Sequence, residues 1–256
     1  MRRSRTLEKI RAGEVVRTCN LGHFIPEYVH QAAAAGYDCI WLDLEHRTMD
    51  NREVQSLLTH FHLADIDCML RAPTLEKTGL YRYLEDGASG LLIPHVSTVE
   101  KAEALVQAVK FPPLGDRGID GVGLDAGYGT PDVVEFTTAA NEETFLVVQI
   151  ETPEAVANVE AIAAVEGVAG LFVGPGDLGL RLRHDTSGLT LELAIELVAQ
   201  AAAKHGKAWG IPVAAPESLI WYRDMGAQLL VHGGDFMALK NMLDSSGAAF
   251  DALEKV

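Results

Sequence analysis

The 256-residue sequence has only three cysteines, Cys19, Cys39 and Cys68. None is close enough to another for a C-x-x-C pair, and an odd count does not build a disulfide framework. Each lies in or beside an apolar run, so they read as small buried hydrophobes, and a reducing cytoplasm is the expected setting. Long apolar runs are also missing: none approaches the roughly 20 residues a membrane helix needs. The opening MRRSRTLEKIRAGE is basic without an apolar core, so no secretory leader is expected. Basic residues are scarce. Lys and Arg number 21 against 36 Asp and Glu, a formal net charge of −15. That balance argues against nucleic-acid or anionic-membrane partners, which require a positive face. No strand is followed by G-x-G-x-x-G or a Walker pattern, which removes the common dinucleotide and P-loop sites. Finally, none of the eight lysines ends a proposed strand where chemistry would sit, and Lys207 precedes strand seven, at the wrong end. A Schiff-base lysine is therefore not expected; a metal is the better electron sink for carbonyl chemistry.

What is present is a rhythm. Eight β-rich runs fall at 15–20, 38–44, 67–72, 90–96, 145–151, 170–175, 208–214 and 229–234. Between them lie helical patterns. NREVQSLLTHFHLAD places Val54, Leu57, Leu58 and Phe61 on one face, and TVEKAEALVQAVK, PEAVANVEAIAAV and TLELAIELVAQAAAKHG read the same way. A glycine shortly precedes several strands, as a left-handed helix stop would. Eight strands alternating with helices over this length predict a (β/α)8 TIM barrel, one domain over 1–256; a doubly wound sheet is the alternative. The segment 112–136 is the one long irregular piece, and loops of that length carry function or move.

In such barrels chemistry lies at the C-terminal ends of the strands. Those ends hold Asn20 and His23; Asp43, Glu45 and His46; Arg71; His95; Gln149 and Glu151; Asp177; and His232 and Asp235. Glu151 and Asp177, from adjacent strands, could hold a hard divalent cation and leave positions open for a chelating substrate; Asp177 could equally cap the helix that follows. Arg71, in an apolar strand, needs an anion. A substrate carboxylate or a developing enolate would serve, as would an internal salt bridge to Glu45. Asp43 and His46 could form a general-base pair or simply cap a loop.

Taken together, WLDLEH (41–46), LRAP (70–73), GLLIPHV (90–96), FPPLGDRG (111–118), VVQIET (147–152) and LFVGPGDL (171–178) resemble, in order, the HpcH/HpaI aldolase family, from about Val15 to about Leu243. The resemblance implies a class II, metal-dependent aldolase acting on 4-hydroxy-2-oxo or 2-keto-3-deoxy acids in aromatic or sugar-acid breakdown. Cleavage would give pyruvate and an aldehyde. It implies Glu151 and Asp177 as ligands of Mg2+, Mn2+ or Co2+, with pyruvate chelating through its carboxylate and keto oxygens. Arg71 would bind the keto or enolate oxygen, Gln149 would contact the site, and backbone N–H groups around Gly176 and Asp177 would hold the pyruvate carboxylate. His46, oriented by Asp43, would drive proton transfer through a metal-bound water. It also implies a cytoplasmic homohexamer, a trimer of dimers exchanging C-terminal helices. The chain departs from the family at Glu85, where an Asp serving a neighbouring subunit is usual, at Gly176 and Gly179, and at LDAGYG, where Tyr128 is the only aromatic nearby. Two alternatives are a citrate-lyase-like acyl-CoA lyase and a non-catalytic barrel that binds a 2-oxo acid.

Overall fold

The computed structural model describes residues 1–253; the last three, Lys255 among them, lie outside the described residues. Eight parallel strands close a barrel in sequence order, β1 to β8, with β8 pairing back onto β1. They are β1 (Val16–Leu21), β2 (Cys39–Asp43), β3 (Asp67–Arg71), β4 (Gly90–Ile93), β5 (Phe145–Ile150), β6 (Gly170–Val173), β7 (Ala208–Pro212) and β8 (Leu229–Gly234). The helices are α1 (Arg5–Ala12), α2 (Pro26–Ala34), α3 (Asn51–Leu63), α4 (Lys77–Glu85), α5 (Val99–Val109), α6 (Val133–Glu143), α7 (Pro153–Ala157), α8 (Val159–Ala163), α9 (Pro175–Leu182), α10 (Leu191–His205), α11 (Ser218–Asp224) and α12 (Asp235–Leu253). The (β/α)8 barrel expected from the strand rhythm is the observed fold.

Several strands stop earlier than their apolar runs. β4 ends before Pro94, which has no N–H for a ladder, and β6 ends where Pro175 opens α9. The helix expected over 153–165 is two short helices broken at Asn158, whose side chain turns away to donate to Ser97 O at 2.8 Å. The segment 112–136 is less irregular than its sequence suggests. Asp132 caps α6, accepting from Val134 and Glu135 N–H, and the buried Arg117–Asp125 pair (2.9 Å) ties the turns before it.

Two layers of core result. One lies between strands and helices, and the other fills the barrel with Val16, Cys39, Met69, Leu92, Val147, Phe172 and Leu229. Leu7 and Ile10 of α1 join that inner layer and close the N-terminal end of the barrel. The three cysteines are free and buried, and no helix among the described residues is long and apolar enough to cross a membrane. α12 differs from the other helices. From Phe236 to Asp251 it is exposed, and that stretch includes Phe236, Met237, Leu239, Met242, Leu243 and Phe250.

Candidate active site

Successive strand residues alternate in direction, and β2 and β5 turn from apolar to polar as they approach the open end. Cys39 and Val147 lie in the inner core, whereas Asp43, Gln149 and Glu151 are polar yet buried. The register of β2 on β3 places Asp43 directly opposite Arg71. Arg71 grips Asp43 with both edges of its fork, Nε to Oδ1 at 2.9 Å and Nη2 to Oδ2 at 2.7 Å, with its plane 4.5 Å from the Trp41 ring centre. Its Nη1 lies 3.1 Å from Glu45 Oε2, an ion pair without hydrogen-bond alignment, which leaves that carboxylate oxygen unpartnered. Burial works against Asp43's charge, but the Arg71 bonds, aided by the N–H groups of His46 and Glu45, hold its carboxyl below the usual range.

Glu45 links this pair to the histidines. Its carboxylate lies 3.6 Å from His46 Nε2 and 3.3 Å from His95 Nε2. His95 in turn reaches Glu151 through both its ring Nδ1 (2.8 Å) and its backbone N–H (2.7 Å). It can do so because its backbone is left-handed, φ 57°. Glu151's other oxygen accepts from Gln149 Nε2 at 2.5 Å. Burial raises the Glu151 pKa; the His95 N–H and ring oppose this, and the nearby Glu45 and Asp177 charges add to it. Asp177, in the first turn of α9, does not cap the helix through its side chain. It accepts instead from Arg181 Nη1 at 2.7 Å, and the same nitrogen also reaches Glu151 O at 3.2 Å.

Of the strand-end residues predicted from the sequence, Asp43, Glu45, His46, Arg71, His95, Gln149, Glu151 and Asp177 share one mouth, whereas His232 lines a groove with Val15, Tyr37 and Leu230 and pairs with Val213 O at 2.8 Å; within the mouth two connections differ. Asp43 reaches the backbone N–H of His46 (3.3 Å), whereas the ring of His46 is nearest Glu45. Arg71 is committed to Asp43 as well as to Glu45. Gly176 has open space around it, with no atom within 4 Å of an added Cβ. His95, named from the sequence only as a strand-end residue, bridges two carboxylates, Glu45 and Glu151, and Arg181 was not anticipated at all. Lys101 approaches the rim, donating to His95 O at 3.1 Å. Glu85 and Tyr128 line a separate surface pocket with Tyr81 and Gly118.

The donors present fit a divalent cation. Glu151 and Asp177 offer hard carboxylate oxygens, and Gln149 Oε1 is buried without a partner. Gly174 makes room for them: a Cβ there would lie 2.7 Å from Glu151 Oε2 and 2.6 Å from Gln149 Nε2. Among the described residues no cluster of three or more His, Cys, Asp or Glu has metal-binding geometry, so the site would rest on two carboxylates and leave positions open to substrate.

A closed (β/α)8 barrel with acids, imidazoles and arginines at the C-terminal mouth defines an enzyme of the barrel type. The chain belongs to the HpcH/HpaI aldolase/citrate lyase family, whose model matches residues 21–241. It is a carbon–carbon lyase of the aldolase kind. It is 35% identical over 251 residues to a hydroxypyruvate/pyruvate aldolase from Pseudomonas aeruginosa, covering 96% of this chain and 92% of that one. A 5-keto-4-deoxy-D-glucarate aldolase from Klebsiella pneumoniae is 34% identical over 218 residues, 84% of each chain. The solved structure of an HpcH/HpaI aldolase from Desulfitobacterium hafniense superposes with a TM-score of 0.88 at 29% identity, covering 97% of this chain and 96% of that one.

Proposed function

We propose that the protein is a divalent-metal-dependent aldolase. It cleaves a 4-hydroxy-2-oxo or 2-keto-3-deoxy acid to pyruvate and an aldehyde, and runs the addition in reverse. The observation that carries this reading is the buried carboxylate Glu151, 1% exposed, near enough to Asp177 for that charge to add to the rise in its pKa, with Gly174 kept bare beside it. Two neighbouring carboxylates of this kind favour a cation. Glu151 and Asp177 would hold Mg2+, Mn2+ or Co2+, and a bound divalent cation supplies Lewis acidity that offsets the negative charge developing on the 2-oxo group.

The rest falls to the chain's own groups. A guanidinium has five N–H donors. Two of those on Arg71 go to Asp43, and Nη1 faces Glu45 at 3.1 Å without a hydrogen bond, so the second Nη2 hydrogen and the unaligned Nη1 hydrogens remain to donate to the keto oxygen as it becomes an enolate. The Asp43 grip and the Trp41 face hold this fork in place before substrate arrives, the preorganisation that makes such donors effective. His46 is the exposed base at the rim. In cleavage its imidazole takes the C4 hydroxyl proton, the C3–C4 bond breaks to release the aldehyde, and the electron pair moves onto the 2-oxo group. A proton then returns to C3 to give the methyl group. Glu45, 3.6 Å from Nε2, is the carboxylate placed to steer that ring. Gln149 holds Glu151, and the N–H groups near Gly176 and Asp177 at the start of α9 suit the pyruvate carboxylate.

The same reading makes the chain a cytoplasmic homo-oligomer, a trimer of dimers exchanging α12. The apolar residues of α12 are exposed in the single chain, and the outer face of β1 and β8 forms a groove lined by Val15, Tyr37, Leu219, Ile220 and Leu230. Free buried thiols suit a reducing compartment. To test the activity, pyruvate and glycolaldehyde are incubated with the protein and Mg2+ or Mn2+, and 4-hydroxy-2-oxo acid is quantified. Product that disappears with chelator and returns with metal is expected. Equal product with chelator would contradict metal dependence, and no product from a panel of aldehydes would contradict the aldolase reading.

A further inference from the structure

A separate carboxylate–imidazole pair sits on the arc of the mouth away from Glu151 and Asp177. Asp235 is the first residue of α12, yet none of the helix's own N–H groups donates to its side chain. Both of its oxygens accept from Gly22 N–H at 3.2 Å, and Oδ2 lies 2.6 Å from His23 Nδ1. The Asp235 side chain is 4% exposed and the His23 ring is 50% exposed. A buried carboxylate is thus spent on fixing one half-exposed imidazole.

The chemistry of the pair sets its polarity. An ionised carboxylate only accepts, so Nδ1 carries the hydrogen, and in the neutral imidazole Nε2 presents a lone pair. No described residue bonds that Nε2. The position is also defined. β1 is hydrogen-bonded to β2 and β8 and stands four strands from β5, which leads into Glu151. The Arg47 stem lies against Gly22, so close that an added Cβ would be 2.9 Å from its Cγ. The Gly22–His23 and His46–Arg47 segments therefore share one corner of the mouth. If His46 handles the C4 oxygen, the carbon beyond it, which belongs to the aldehyde, lies toward this corner.

We propose, resting on the aldolase reading above, that His23, held by Asp235, is the acceptor-recognising residue, its Nε2 accepting a hydrogen bond from the hydroxyl of an α-hydroxyaldehyde. Asp235 is its positioning residue. The pair would make the enzyme prefer glycolaldehyde over acetaldehyde, because a polar group left without its partner penalises the deoxygenated analogue.

The test compares kcat/KM for glycolaldehyde and acetaldehyde, with pyruvate as donor, in the wild type, His23→Ala, His23→Gln and Asp235→Asn. In His23→Ala the ratio falls by about three- to tenfold, carried by KM for glycolaldehyde, as loss of one neutral hydrogen bond would give. His23→Gln recovers part of it, and Asp235→Asn falls between. A ratio unchanged within twofold, or equal losses on both aldehydes, overturns the proposal. A binding arm does not require turnover: the His23 Nε2 resonance of 15N-labelled full-length protein is followed while glycolaldehyde or acetaldehyde is added. A shift with glycolaldehyde alone supports the subsite, and no shift, or the same shift with both, overturns it. Pyruvate methyl-proton exchange by the wild type reads the aldolase activity separately, so failure of that reading and failure of the His23 subsite are told apart.

Discussion

Replacing Arg71 by alanine should do more than slow the reaction. Its guanidinium is 7% exposed and holds Asp43, 9% exposed, through two bonds of 2.9 and 2.7 Å, with Glu45 alongside at 3.1 Å. Removing it leaves two carboxylates uncompensated at the mouth. Breaking a buried pair in this way costs about 3–5 kcal/mol, and for a chain of this size each kcal/mol moves Tm by about 2–4 °C. Arg71→Ala should therefore lower the urea midpoint and drop Tm by roughly 6–20 °C. Arg71→Ala with Asp43→Asn should recover about 2 kcal/mol of the loss, because one stranded charge is gone. The pH dependence carries the same signature. Asp43 has a lowered folded pKa, so its stabilisation is present above the ordinary carboxylate range and is lost as pH falls through the lowered value. Asp43→Asn should flatten that acid limb. Urea melts of the four proteins of the cycle, repeated from pH 7 to pH 3, measure all of this. A cost below about 1 kcal/mol for Arg71→Ala, typical of exposed pairs, would refute the claim that this fork is prepositioned by burial.

Three further outcomes follow from particular contacts. Gly174→Ala places a methyl within 2.7 Å of the Glu151 carboxylate; aldol turnover should fall by about 100-fold with the circular dichroism spectrum unchanged. Arg181→Ala frees Asp177 from a half-exposed ion pair, so calorimetry should show Mn2+ binding tighter by about two- to fivefold. Lys110 is buried against the carbonyls of Asn141 and Thr144, and burial lowers its pKa to about 8. The unfolded chain then holds the extra proton, so stability should rise with pH between about 8 and 10.5, by up to about 3 kcal/mol, and the wild-type minus Lys110→Met difference in Tm should show that slope.

Much of this was legible in the sequence because barrel strands are covered on both faces and appear as short apolar runs between turn residues. The mouth was legible too, since a charged residue closing an apolar strand, such as Arg71 in CMLRAP, is costly unless it meets an anion. Connections across strands were legible only in the Arg71–Glu45 ion pair. Glu45 meeting His46 and His95 depends on where the loops leave the barrel. His95 reaches Glu151 through a left-handed backbone that no glycine signals. Arg181 lies one helical turn beyond Asp177, a spacing shared by many surface pairs. The break at Asn158 was hidden because the residues on both sides favour helix.

The central claim is that this mouth makes a pyruvate enolate, and it can be measured without knowing the aldehyde. Pyruvate is incubated with the protein in D2O and its methyl protons are followed by NMR, once with Mg2+ or Mn2+ and once with excess chelator. The account predicts exchange with metal, none with chelator, and none in Glu151→Gln at the same metal concentration. Exchange that persists in chelator, or that survives Glu151→Gln, would contradict it.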